Sequence, residues 1–166
     1  MSTQATSVIT DPKRLRMVLI VISLALMMVV SAVSGLNVAL PDLARDTQAT
    51  QSELQWIVDA YTVTLAGLLF ISGAIGARYG RRLILIVGLI IFGAAAAAAM
   101  FTSDPAVLIW LRALMGVGAA AVMPTTLSII TTSFPEERRG AAVGLWVGVA
   151  GGGAGLGLLM SGLLLE

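Results

Sequence analysis

Cysteine and histidine are both absent from these 166 residues. Without cysteine there is no disulfide framework and no thiol chemistry; without histidine there is no imidazole metal site or proton relay. Charge is scarce as well. Only 11% of the residues are Asp, Glu, Lys or Arg, against about 25% in a typical soluble domain. That composition excludes a surface made for water. The formal net charge of +1 offers nucleic acid no basic footprint, so no nucleic-acid partner is expected. No nucleophile–base set or metal cluster can be assembled, and an enzyme is not expected. Any proton bound and released within the chain must sit on a carboxylate.

Apolar sequence fills the remaining space. Five uncharged stretches, 17–41, 60–77, 83–103, 113–135 and 140–165, run for 25, 18, 21, 23 and 26 residues. A bilayer core needs roughly 20 apolar residues of helix, and one soluble core could not hide five such segments. The fold class is therefore an all-α membrane protein with five transmembrane helices. Spans are expected at 18–40, 54–77, 83–102, 106–132 and 140–165. Residues 1–16 are expected to form a disordered cytoplasmic N-terminus and residues 17–166 the five-helix bundle. A signal peptide is disfavoured, because its apolar region has only about 7–15 residues and this one continues to Leu40.

The loops carry a sidedness. Lys13, Arg14 and Arg16 precede helix 1, Arg78, Arg81 and Arg82 join helices 2 and 3, and Arg138 and Arg139 join helices 4 and 5. The opposite loops hold Arg45 and otherwise only acids. Basic loops remain in the cytoplasm, which predicts a multi-pass protein of the plasma membrane with its N-terminus cytoplasmic and its C-terminus extracytoplasmic. Pro41, Pro105 and Pro135 are expected in loops. Asp104-Pro105 and the two acids after Pro135 read as helix starts. Trp56 reads as an interfacial anchor, Trp110 and Trp146 as packing residues.

Two ionisable residues lie where hydrocarbon should be. Asp59 falls about 6 Å into helix 2, and Arg112 about 10 Å into helix 4 from the same side. Each would cost on the order of 3 kcal/mol facing lipid, so both are expected to face the bundle. With Asn37 on helix 1 they share one layer, which suggests an Asp59–Arg112 pair serving either proton coupling or helix pinning. Ser23, Met27, Val30, Ser34 and Asn37 recur on one face of helix 1, suiting a polar cavity wall or a packing seam equally well. Thr62, Ala66 and Phe70 share the face of Asp59. Glycines 144, 148, 152, 153 and 157 of helix 5, and the alanine run 94–99 of helix 3, read as close packing.

The run Gly73-Ala74-Ile75-Gly76-Ala77-Arg78-Tyr79-Gly80-Arg81-Arg82 resembles the G-x-L-x-D-R-x-G-R-R signature of the major facilitator superfamily. Leu36-Asn37-Val38-Ala39-Leu40-Pro41 and Gln55-Trp56-Ile57-Val58-Asp59-Ala60-Tyr61 look like the opening of its drug:proton antiporters with fourteen spans. Residues 111–120 are similar to the superfamily's basic motif, and helix 5 to its glycine-rich antiporter motif. The resemblance implies a proton-transfer role for Arg112 and a cytoplasmic gate built from Gly73, Arg78, Gly80, Arg81 and Arg82. It also implies a hinge surface of Gly148, Gly152, Gly153 and Gly157, with Asp59 in or near a cation cavity. That cavity would draw on Met27, Ser34, Asn37, Asp59, Thr62 and Arg112. Three positions depart from the pattern: Ala77 replaces the signature's acid, Ala32 stands about where helix 1 often carries Asp, and Gly157-Leu158 replaces Gly-Pro.

By this resemblance the chain is the N-terminal portion of a longer transporter, since half-domains of the superfamily have six helices. The expected function is proton-coupled export of amphipathic or cationic small molecules, driven by a proton gradient without a cofactor. Its partners would be the lipid bilayer, the substrate, protons and the remaining helices. A metabolite or organic-anion transporter of the same fold, and a non-transporting truncated or assembly module, are the alternatives.

Overall fold

The computed structural model describes residues 11–164, apart from the side chains of residues 38, 158 and 160–164. Among these residues there are five α-helices and no strand: α1 (Pro12–Thr47), α2 (Gln51–Tyr79), α3 (Arg81–Ala99), α4 (Pro105–Ser133) and α5 (Glu136–Leu164). Each is long and apolar enough to cross a membrane.

Local chemistry sets the ends. The Asp11 carboxylate accepts the Lys13 N–H at 2.9 Å, and Pro12 occupies the first helical position. That position lacks a partner for its N–H in any helix, so proline costs nothing there. Of the segment expected to be disordered, residues 1–10 lie outside the described residues, and 12–16 belong to α1. Asp104 starts α4 likewise, accepting the N–H groups of Ala106 and Val107. Thr50 and Glu53 cap α2 reciprocally: the Glu53 carboxylate accepts the Thr50 N–H at 2.8 Å, and the Thr50 hydroxyl accepts the Glu53 N–H at 3.3 Å. Gly80 alone joins α2 to α3 with φ of 104°, a conformation open to glycine.

The helices run past several expected boundaries, and the end of α1 runs furthest. Pro41 lies inside α1, which continues to Thr47. Its ring removes one helical hydrogen bond, but polar side chains rebuild the following turn. Arg45 pairs with Asp42 at 3.4 Å, the Thr47 hydroxyl donates to the Leu43 carbonyl at 2.6 Å, and the Gln48 amide donates to the Arg45 carbonyl at 2.7 Å.

Helix α4 is the most enclosed: 44% of its apolar window is buried, against 17–22% for the others. It packs chiefly on α2 and α3, whereas α1 packs chiefly on α5. Contacts between these two groups are fewer. Lipid gives helices no hydrophobic reason to associate, so close backbone approach must hold them. At the α3–α4 crossing a β-carbon on Gly118 would stand 2.6 Å from the Gly88 carbonyl oxygen. On the α2 side, one on Gly116 would stand 2.6 Å from the Tyr61 carbonyl oxygen.

The exterior is apolar, with Phe70, Ile90 and Trp110 prominent. Trp110 is 73% exposed, which corrects its expected packing role: at its azimuth α4 has no neighbour among the described residues. Trp146 does pack, its indole N–H donating to the Thr126 hydroxyl at 3.1 Å.

Candidate functional site

Arg112 is 6% exposed, at the junction of α1, α2 and α4. Its Nε–H donates to the Ile57 carbonyl at 3.1 Å and an Nη–H to the Ala32 carbonyl at 3.5 Å. The guanidinium carbon lies 4.7 Å from the centre of the Tyr61 ring. Tyr61, equally buried, donates its hydroxyl to the Val29 carbonyl at 3.2 Å. Peptide dipoles and a π face thus solvate the cation in place of a carboxylate. A desolvated cation–π contact is worth about 2 kcal/mol.

The Asp59–Arg112 pair does not form. Among the described residues the ion pairs are Arg14–Asp11 and Arg45–Asp42, and half-buried Asp59 has no recorded hydrogen bond. Helical phase explains this. Ile57 and Tyr61, four residues apart, share the face that meets Arg112. Asp59 is midway between them, so about 200° round the helix from both. Its face also carries exposed Thr62 and Phe70. The two charges share a depth but not a face of α2.

Beside the Arg112 junction is a cavity of about 590 Å³ lined by α1, α3, α4 and α5. Met27, Met28, Ala32, Phe92, Met115 and Leu156 make most of its wall. Ala32 connects the two features, lining the cavity while its carbonyl receives Arg112. Of the residues expected to line a cavity, only Met27 does so. Asn37 is exposed and its amide turns back to the Val33 carbonyl at 3.4 Å. Ser34 packs on α5, where a β-carbon on Gly157 would meet its Cβ at 3.1 Å. Met27 and Ser34 therefore make the helix 1 stripe a packing seam, with the methionine shared by the cavity.

The glycines of α5 divide. A β-carbon on Gly157 would clash with the Ser31 carbonyl oxygen at 2.6 Å, and one on Gly153 would lie 3.4 Å from Met27 Cα. Gly148 and Gly152 face open space, with nothing within 4 Å of an added β-carbon. The expected four-glycine surface against another helix is thus two glycines against α1, because positions 148 and 152 share a face that turns away from it.

At the basic end, Arg78, Arg81 and Arg82, three of the residues expected to form a gate, flank the Gly80 turn, with Gly73 further back along α2. Arg81 donates to the Thr132 hydroxyl of α4 at 2.8 Å, while its Nε and the Thr125 hydroxyl are buried without partners among the described residues. The Arg78 guanidinium lies over the Tyr79 ring at 5.5 Å, Arg82 is exposed, and Gly73 abuts Pro124. Tyr61 carried no assigned role in the sequence; its spacing of four from Ile57 was the available signal.

Five apolar helices, tied by a buried arginine and close glycine contacts, define a multi-pass helical membrane protein. The chain belongs to the major facilitator superfamily, whose family model matches residues 22–166. It is similar to a puromycin resistance protein of Streptomyces alboniger, 40% identical over 157 residues, covering 94% of this chain and 31% of that protein. A methyl viologen resistance protein of Salmonella typhimurium is 40% identical over 149 residues, covering 89% of this chain and 30% of its own length. For a multidrug efflux pump of Mycolicibacterium smegmatis the values are 36% over 156 residues, 93% and 31%. The chain spans about a third of the length of these relatives.

Proposed function

We propose that this chain supplies the first five spans of a proton-coupled exporter of amphipathic or cationic small molecules. It would lie in the plasma membrane with its N-terminus cytoplasmic and its C-terminus extracytoplasmic. The observation that carries this reading is Arg112, a buried cation without a carboxylate partner, bonded to the carbonyl of Ala32, which lines a methionine-rich cavity. Unbranched thioether side chains adapt to apolar guests of varied shape. A fixed cation in low dielectric favours release of a cationic guest nearby. Asp59 is the carboxylate for the proton, on the uncovered face of α2 where the remaining helices of a longer transporter would meet it. Relatives named for resistance to puromycin and methyl viologen, and for multidrug efflux, support the substrate class. Gly73, Arg78, Gly80, Arg81 and Arg82 would form the inner gate, and Gly153 and Gly157 the seam on which α5 moves against α1. A proton gradient drives the cycle and no cofactor takes part.

Inverted vesicles containing the complete transporter test this. Asp59→Asn is expected to abolish gradient-driven export of divalent lipophilic cations, and Arg112→Ala to lower export at least tenfold at unchanged protein level. Full export by Arg112→Ala would remove the basis of the reading. The unpaired guanidinium also favours a second reading, in which Arg112 binds an organic anion directly. Competition by organic anions but not by lipophilic cations would select it.

A further inference from the structure

The basic end carries a second cavity, of about 420 Å³, between the first turns of α1 and α5 beside Phe134, which caps α4. Its floor is apolar: Leu15, Phe134 and Ala142 are buried and cluster with Ile22 and Ile130. At the rim stand Arg16 from α1 and Arg138 from α5. Both are exposed, and neither has a recorded ion pair or side-chain hydrogen bond among the described residues.

Neighbouring charges do not satisfy these arginines. Asp11 is engaged with the Lys13 N–H at 2.9 Å and with Arg14 at 4.0 Å. Glu136 and Glu137 occupy the first turn of α5, where the helix dipole stabilises them. Glu137 precedes Arg138 directly, and successive helical residues do not share a face. Arg139 turns inward, its Nε–H donating to the Phe134 carbonyl at 2.9 Å. Two cations thus overhang an apolar floor, and the rim lies where charge gives way to the uncharged stretches beginning at residues 17 and 140. A cationic rim over an apolar floor suits a phosphate that carries an acyl chain.

We propose that this cleft binds one anionic phospholipid, its phosphate held by Arg16 and Arg138 and its acyl chain lying along Leu15, Leu19 and Phe134. Guanidinium donors suit phosphate oxygens geometrically, and basic pockets between helices at this depth recognise anionic headgroups. The lipid adds to the contact that Leu15, Phe134 and Ala142 make between α1, α5 and the end of α4, two helix groups that share few contacts elsewhere. Its role is therefore that of a structural tie, independent of the transport reading.

Native mass spectrometry of the full chain, released from nanodiscs containing both phosphatidylglycerol and phosphatidylcholine, tests the site. One retained phosphatidylglycerol is expected, preferred over phosphatidylcholine by at least about tenfold. Arg16→Gln with Arg138→Gln should remove that preference at unchanged helicity. Each single variant should lower it part-way, which keeps the test valid if the double variant misfolds. The pair Arg14→Gln with Arg82→Gln, which removes two arginines of the same end that do not line the cleft, should leave the preference intact. Millimolar inorganic phosphate should fail to displace the lipid; displacement would mark a phosphate site instead and overturn the proposal. Equal retention of phosphatidylcholine, or equal loss in the Arg14 and Arg82 variant, would overturn it too.

Discussion

Tyr61 holds Arg112 with its ring and α1 with its hydroxyl, so the two contributions can be separated by substitution. Tyr61→Phe deletes only the bond to the Val29 carbonyl, which should cost about 1 kcal/mol. Tyr61→Leu also withdraws the π face from a desolvated cation, which should cost about 2 kcal/mol more. Thermal unfolding of the solubilised chain reads both, and equal losses would show that the ring does not solvate the cation. The same corner shows how far residues could be read in advance. Depth along a helix is simple arithmetic, and it placed Asp59 and Arg112 in one layer. Azimuth was equally available: Ile57 and Tyr61 lie four apart with Asp59 between them, so a charge pair through that face was excluded by helical phase. Which of the two faces would meet α4 was not available, since that depends on a packing that no local pattern announces.

At the scale of the element, glycine position matters more than glycine abundance. The glycine-rich motif of α5 includes Gly148, which has open space around it, while the tightest α3–α4 contact falls at Gly88 and at Gly118 of the basic motif, neither of them read as a packing position. Gly118→Ala should therefore destabilise the bundle by about 1–3 kcal/mol or more, because the new methyl meets backbone that cannot yield. Gly148→Ala should be neutral or stabilising by up to about 1 kcal/mol through helix propensity. Paired unfolding curves check the contrast, and a reversed order would refute the assigned crossing. The alanine run 94–99 taught the same lesson: of its members only Ala95 is buried, and the backbones approach a turn or more earlier. Small residues permit approach without requiring it. Helix starts were more legible, because Asp104-Pro105 is a self-contained chemical signal. The end of α1 was not, since the bonds that carry it past Pro41 come from residues 42–48 acting together.

Over the whole molecule, the number of helices and their class followed from uncharged run lengths, because the bilayer imposes a length on any spanning helix. Which helix neighbours which did not follow. A helix apolar on all sides has no stripe pointing to its partner, so the division into α2–α3–α4 and α1–α5 had to come from coordinates. Sidedness lies between these cases, resting on arginines gathered at one end of every helix pair. The lack of cysteine makes it directly measurable, because a single introduced thiol is labelled against no background. Ser103 and Gly140 are exposed and lie at opposite ends of the bundle, just before α4 and near the start of α5. With the N-terminus cytoplasmic, Ser103→Cys should react with a membrane-impermeant maleimide in intact cells. Gly140→Cys should react only after the membrane is opened. The opposite pattern would invert the topology and place the Arg81–Thr132 tie at an outer gate, whereas labelling of both thiols in intact cells would mean that the chain inserts in two orientations.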